Sequence, residues 1–342
     1  MHRLQTFALV SILLVPLFLT SATPGASSSG VEGALAWLRG QQQPDGGFSN
    51  GFAPGSDLGA TADAIVAIAS AGESPSAWVA AGRSPVEFLT QAAAGAMSPG
   101  QAAKTTLAAV AAGEDPRDFG GIDLTVTVAT AFDPAAVSSL YDRALAILAL
   151  EAAEAPVPEQ AVSGLAAARL PDGSYAFDGS LIPGSGDSNT TAIAVQALLV
   201  TGHGEETLPS YAYFRATQND DGGWTYQKPS PFGEATDANS TALVAQALLA
   251  GGQDLDEWGD PLAALIALQQ PNGALAFNAD TPGDNLLATI QAIPALAGVD
   301  LTDVRRLTAG SYAPNLGLIF GASAIVLVLV LLAAGVLGRV ER

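Results

Sequence analysis

One short phrase recurs four times along the chain: QQPDGGF at 42–48, RLPDGSY at 169–175, QNDDGGW at 218–224 and QQPNGAL at 269–275. The aspartate or asparagine positions of the last three copies are 49 and 51 residues apart. A fixed period of this size is the mark of a repeat architecture, and it restricts the fold more than any other feature. Each copy follows an amphipathic stretch with helical spacing. The glycine suits the left-handed residue that ends many helices, and the following Phe, Tyr, Trp or Leu can fold back onto the helix just finished. The phrase therefore reads first as a helix terminator with a staple. Asp221 aligns with Asp45, Asp172 and Asn272, and an asparagine could not donate a proton in its place. Asp220 alone has no equivalent in the other copies.

A second phrase follows the first. DSNTTA at 187–192 opens the run IAVQALLVTG, and DANSTA at 237–242 opens LVAQALLAGG. Weaker copies begin at Asp57 and Asp284. Asp, Asn, Ser and Thr are good N-caps, and glycine ends each run. These runs are apolar on nearly every face and so should be buried, whereas the helices before each terminator are amphipathic. The pattern predicts outer and inner helix pairs at 30–43 and 57–72, 84–95 and 99–113, 120–132 and 139–155. The remaining pairs fall at 158–169 and 187–202, 209–219 and 237–252, 260–270 and 284–298. The second and third pairs rest on helical pattern alone, and the β-branched stretch 122–128 is a competing strand signal. Six hairpins can close into a ring with the inner helices as a barrel: an all-α (α/α)6 toroid over 27–300.

The composition narrows the chemistry. With 33 acidic against 13 basic residues, the formal charge is −20, which repels phosphate backbones and excludes nucleic acid as a partner. There is no cysteine, so disulfides, thiolate ligands and cysteine nucleophiles are absent. The two histidines are His2 and His203, too few for His-based zinc chemistry, and no metal or other cofactor is expected. No Ser-His-Asp pattern, phosphate-binding glycine loop or calcium loop appears.

The two ends are apolar. Residues 1–22 carry an early positive charge, an apolar core and small residues for cleavage, the pattern of a signal peptide. Residues 316–338 hold no charge and are long enough to span a bilayer. The tail 339–342 contains Arg339 and Arg342 and should stay inside. The expected arrangement is an extracellular toroid, a short linker at 301–315 and a single C-terminal transmembrane helix in the cell membrane.

The spacing Gln42/Gly46/Phe48 and Gln218/Gly222/Trp224 resembles the prenyltransferase/squalene-oxidase repeat of terpene cyclases and protein prenyltransferase β-subunits. That superfamily has an α/α-toroid fold and includes cobalamin carriers and complement-like thioester domains. The resemblance spans about residues 30–300. It implies a toroid but no single function, because one fold hosts many activities. Triterpene cyclases carry Asp-x-Asp-Asp-Thr-Ala with a central acid. The matching stretches here replace the inner acids by Asn189 and Thr190, and by Asn239 and Ser240. Neither replacement can protonate an alkene. The expected inner helices carry one aromatic, Tyr141, where cyclases stabilise carbocations on aromatic faces. Prenyl transfer needs a zinc held by Asp, Cys and His, which this chain cannot assemble. Cobalamin carriers and their tethered bacterial surface relatives are the nearest in type.

All inner helices of such a toroid start at one rim. Asp57, Asp187, Asn189, Asp237, Asn239 and Asp284 are expected around that mouth, with Tyr226 and Trp224 from the neighbouring loop, as a ligand-binding ring. No catalytic residue is assigned. The reading is a membrane-tethered, non-catalytic extracellular binding module. Its partner would be a small amphiphilic molecule, corrinoid-like included, or another cell-surface protein. Alternatives are a divergent cyclase or carbohydrate lyase or hydrolase using mouth carboxylates, and a pocketless interaction scaffold. A lumen of several hundred Å³ would favour a pocket, and a solid barrel would favour the scaffold.

Overall fold

The computed structural model describes residues 26–309 except Val137 and Phe232. The expected signal peptide, transmembrane helix and tail lie outside the described residues. Among those described, no single helix is long and apolar enough to cross a membrane.

Among the described residues twelve α-helices alternate outside and inside. The outer set is α1 (Ala26–Arg39), α3 (Pro85–Ala93), α5 (Leu124–Ala129), α7 (Glu159–Ala167), α9 (Leu208–Thr217) and α11 (Pro261–Ala267). The inner set is α2 (Leu58–Ser70), α4 (Pro99–Ala112), α6 (Leu140–Ala152), α8 (Ser188–Val200), α10 (Ala238–Ala250) and α12 (Leu286–Leu296). Each inner helix packs on the next, and α12 packs on α2, so the barrel closes. Alanine supplies much of its wall, with Ala64, Ala108, Ala146, Ala194, Ala245 and Ala292 fully buried. Small side chains let the six helices approach closely around one axis.

The terminator phrase does what its residues suggest. Gly46, Gly173, Gly222 and Gly273 have φ of 91°, 92°, 89° and 95°, where a side chain is strained. Their faces are also occupied. A Cβ on Gly173, Gly222 or Gly273 would lie 2.1 Å from a backbone oxygen of Pro209, Gly259 or Gly33, respectively. The glutamine of the phrase bridges hairpins. Gln218 Nε2 donates to Gly222 O at 2.8 Å and to Trp258 O at 2.6 Å. Gln269 Nε2 donates to Gly273 O at 2.9 Å and to Gly30 O of the first hairpin at 2.8 Å. The last joint thus links the two ends of the ring.

Several boundaries differ from expectation, the first outer helix by four residues at each end, and two of the differences shape the surface. The third outer helix shrinks to Leu124–Ala129 because Gly120 and Gly121 both take positive φ, 66° and 81°. Asp123 then caps the helix by accepting from Thr125 N. Its shortness leaves a groove of about 860 Å³ on the outer wall, between α5 and α7. Residues 301–309 are not a free linker. The 3-10 helix Leu301–Ala309 packs across α2, α4, α6, α8 and α10, with Val304 buried, and closes the barrel from the side opposite the mouth.

Candidate functional site

The second phrase works as the other half of the joint. Asp57, Asp187 and Asp237 are N-caps, accepting from Ala60, Thr190 and Ser240 N–H at 2.8, 2.7 and 2.7 Å. Their own N–H groups donate to the carbonyls of Phe48, Tyr175 and Trp224, the staple residues. Four residues on, Thr61, Thr191 and Thr241 accept from the N–H of the same staple residues at 2.9, 2.9 and 3.0 Å. The cap and the threonine therefore clamp the staple backbone. In the last repeat these roles fall to Asn285 and Thr289, not to Asp284.

Of the expected mouth residues Trp224 needs correction, while Asp284 and Asp57 carry structural hydrogen bonds. Asp284 is exposed and accepts from Trp37 Nε1 at 3.1 Å and Asn272 Nδ2 at 2.8 Å, a link between the last and first hairpins. Trp224 is fully buried, with Nε1 donating to Phe214 O at 2.9 Å, and cannot meet a ligand at the mouth. Asp57 is committed twice, since its second oxygen accepts from Asn50. Asn239 ties to the neighbouring inner helix instead, donating to Gln291 Oε1 of α12 at 2.5 Å. The equivalent Asn189 has a buried Oδ1 without a partner. Tyr226 is exposed at 44% and stands beside Asp187. Burial pushes the Asp187 carboxyl up to about 6, against the pull of the hydrogen bond from Thr190, and its Oδ2 is buried without a partner. Burial likewise raises Asp237.

Below the caps the inner helices surround a cavity of about 60 Å³, well short of the several hundred Å³ that a pocket for a bulky ligand needs, so the barrel is nearly solid. Its polar wall is Asp63 of α2, Lys104 of α4, Tyr141 of α6, Gln246 of α10 and Gln291 of α12. Its apolar wall includes Val66, Leu107, Leu145, Ile290 and Pro294, and Leu301 of the closing 3-10 helix. Lys104 Nζ pairs with Asp63 Oδ2 at 2.6 Å. Burial alone would push this ammonium down, but Asp63 and Tyr141 outweigh it and hold Lys104 above the ordinary lysine value. Burial drives the Tyr141 hydroxyl up to about 12.

Gln196 and Gln246 occupy equivalent positions on α8 and α10. Gln196 Oε1 accepts from Leu301 N at 2.9 Å, whereas Gln246 Oε1 is buried with no partner. A buried acceptor left open costs stability unless water or a ligand supplies a donor.

These lumen residues were not among the expected site residues. A signal for one of them was present in the sequence. Lys104 interrupts an alanine-rich run that must be buried, and a buried charge requires a partner. Its partner lies 41 residues away on another helix, which no local pattern reveals.

The architecture is shared with solved structures. The apo type II terpene cyclase MstE from Scytonema aligns with a TM-score of 0.56 at 15% identity, over 80% of this chain and 97% of its own. A protein from Actinoplanes aligns at 0.57 and 17%, covering 80% and 99%. A wild-type glycosidase aligns at 0.54 and 14%, covering 82% and 97%. At such identities the likeness is one of fold. No family model and no curated protein matches the sequence. The chain thus has the α/α-toroid fold that these cyclase and glycosidase structures share.

Proposed function

We propose that the toroid is a non-catalytic binding module whose lumen holds one small amphiphilic molecule. The observation that carries this reading is the Lys104–Asp63 pair with the open Gln246 acceptor, set in an otherwise apolar barrel. The pair has no net charge, so the guest is neutral or zwitterionic. Gln246 needs a donor, while Lys104 has donors to spare. The apolar wall suits a short hydrocarbon part. A cavity of 60 Å³ takes about four to six non-hydrogen atoms, by analogy with the space each buried water needs. Short polyols and hydroxyalkyl amides meet these conditions. A corrinoid or triterpene is too large for this lumen, and the cyclase motif lacks its inner acids. On the same reading the apolar run at 316–338 anchors the toroid outside the cell. Protease added to intact cells should then remove it.

Thermal unfolding of the full chain against short polyols, hydroxyalkyl amides, terpenoids, corrinoids and oligosaccharides tests the lumen. The expected result is a rise in Tm with the first two classes that is lost in Lys104→Met. A rise with corrinoids or long terpenoids alone would reject the lumen as the site.

One observation favours a second reading, a carbohydrate-cleaving enzyme. Asp187, at about 6, holds a proton nearer neutrality than an ordinary carboxyl, as a general acid requires. Release of reducing sugar from oligosaccharides, abolished by Asp187→Asn, would support this reading over simple binding.

A further inference from the structure

Three exposed aromatic rings share one position in the repeat. Phe177, Tyr226 and Phe277 each lie two residues beyond the staple, and they are exposed at 51%, 44% and 37%. The residues between, Ala176, Thr225 and Ala276, are buried. Each aromatic has its carbonyl fixed by the first residue of the preceding inner helix. Leu140, Ser188 and Ala238 N–H donate to the oxygens of Phe177, Tyr226 and Phe277, each at 2.8 Å. The loops are also tied to one another, with Gln227 Nε2 donating to Gly184 O at 2.8 Å and Gly186 O at 3.2 Å. A backbone pinned this way displays its rings at little entropic cost on binding. Leu181, Ile182 and Phe52 add exposed apolar surface on loops of the same rim. Clustered exposure of this kind marks an interaction surface.

The charges around these rings decide what the surface fits. Asp178, Glu234, Asp280 and Asp284 lie on the same loops. The basic residue there, Lys228, is already held by Asn219 Oδ1 at 2.9 Å. The whole chain carries a formal charge of −20. Aromatic faces attract guanidinium and ammonium groups, more so in a negative field. The molecule already uses this contact between its own hairpins, with Arg215 3.6 Å from the Trp258 ring centre and Arg39 4.3 Å from that of Trp78.

We propose that the rim formed by Phe177, Tyr226 and Phe277 docks a basic segment of a protein partner, its Arg or Lys side chains lying over the rings. This surface adjoins the lumen, the Phe177 ring lying 6.4 Å from that of the lumen residue Tyr141, but the proposal does not rest on a guest there.

The test is fluorescence anisotropy with a labelled peptide of alternating Arg and Leu, titrated with the full chain. Controls are the same peptide with citrulline for arginine, and a neutral oligosaccharide. The expected result is binding by the arginine peptide that weakens with salt and falls at least about tenfold in Phe177→Ala/Tyr226→Ala/Phe277→Ala. The single variants Phe177→Ala and Phe277→Ala answer the same question if the triple variant loses its unfolding transition. No binding, equal binding by the aromatic variants or by the citrulline peptide, or capture of the oligosaccharide in place of the peptide would each overturn the proposal.

Discussion

The four hairpins that carry the terminator phrase and the two that lack it do different work. In the first group every joint is built alike, from a left-handed glycine, a stapled side chain, an N-cap and a threonine. The hairpins around α4 and α6 use another device, serine capping boxes at Ser98 with Gln101 and at Ser139 with Asp142. Those two hairpins also supply Lys104 and Tyr141, the basic group and the aromatic of the lumen. The regular hairpins supply the rest of the polar wall, Asp63, Gln246 and Gln291, so the lumen joins the two kinds of hairpin.

The sharpest way to break this comparison is to damage one joint. Gly222→Val adds a branched side chain at positive φ, against Gly259 O, and should destabilise by about 3 kcal/mol or more, read by denaturant unfolding. A neutral result would mean the phrase is not a joint. Next is Lys104→Met, which leaves Asp63 without its counter-charge. Breaking a fully buried pair costs about 3–5 kcal/mol. Here the side chains keep 28% and 21% exposure, so about 2 kcal/mol is expected. Adding Asp63→Leu should restore most of the loss, and a double mutant as weak as the single would show that the pair is not coupled.

Asp187 sharpens the comparison through pH. Its folded value of about 6 lies above the ordinary 3.8, so the folded state binds more protons in that interval. Stability therefore falls as pH rises from 3.8 to about 6. Asp187→Asn keeps a capping oxygen and should flatten this fall, worth on the order of 3 kcal/mol. An unchanged pH profile would remove Asp187 as its source. The smallest effect is expected outside the joints. Gly164, on α7, has no neighbour within 4 Å of an added Cβ, so Gly164→Ala should stabilise by about 0.5–1 kcal/mol.

The helices were legible because period and capping residues agree at each repeat. The start of α12 was misread by one residue because Asp284 and Asn285 are adjacent and both can cap. Only the hydrogen bond from Asn285 N to Leu275 O, equivalent to those of the other caps, settles the register. The short α5 hid behind two glycines whose positive φ has no mark in a one-dimensional pattern. The lumen was illegible for a different reason. Its polar wall gathers single residues from five helices, and each looks unremarkable within its own run.

The joint between Gln269 and Gly30 spans 239 residues. During synthesis the first hairpin waits for its partner until the last one has been made. At ordinary elongation rates that interval is on the order of tens of seconds. Until then the open edges of α2 and α12 present the alanine, valine and isoleucine faces that later seal against each other. Ring closure is thus a late, long-range event, and the nascent chain is most exposed to aggregation just before its seam forms.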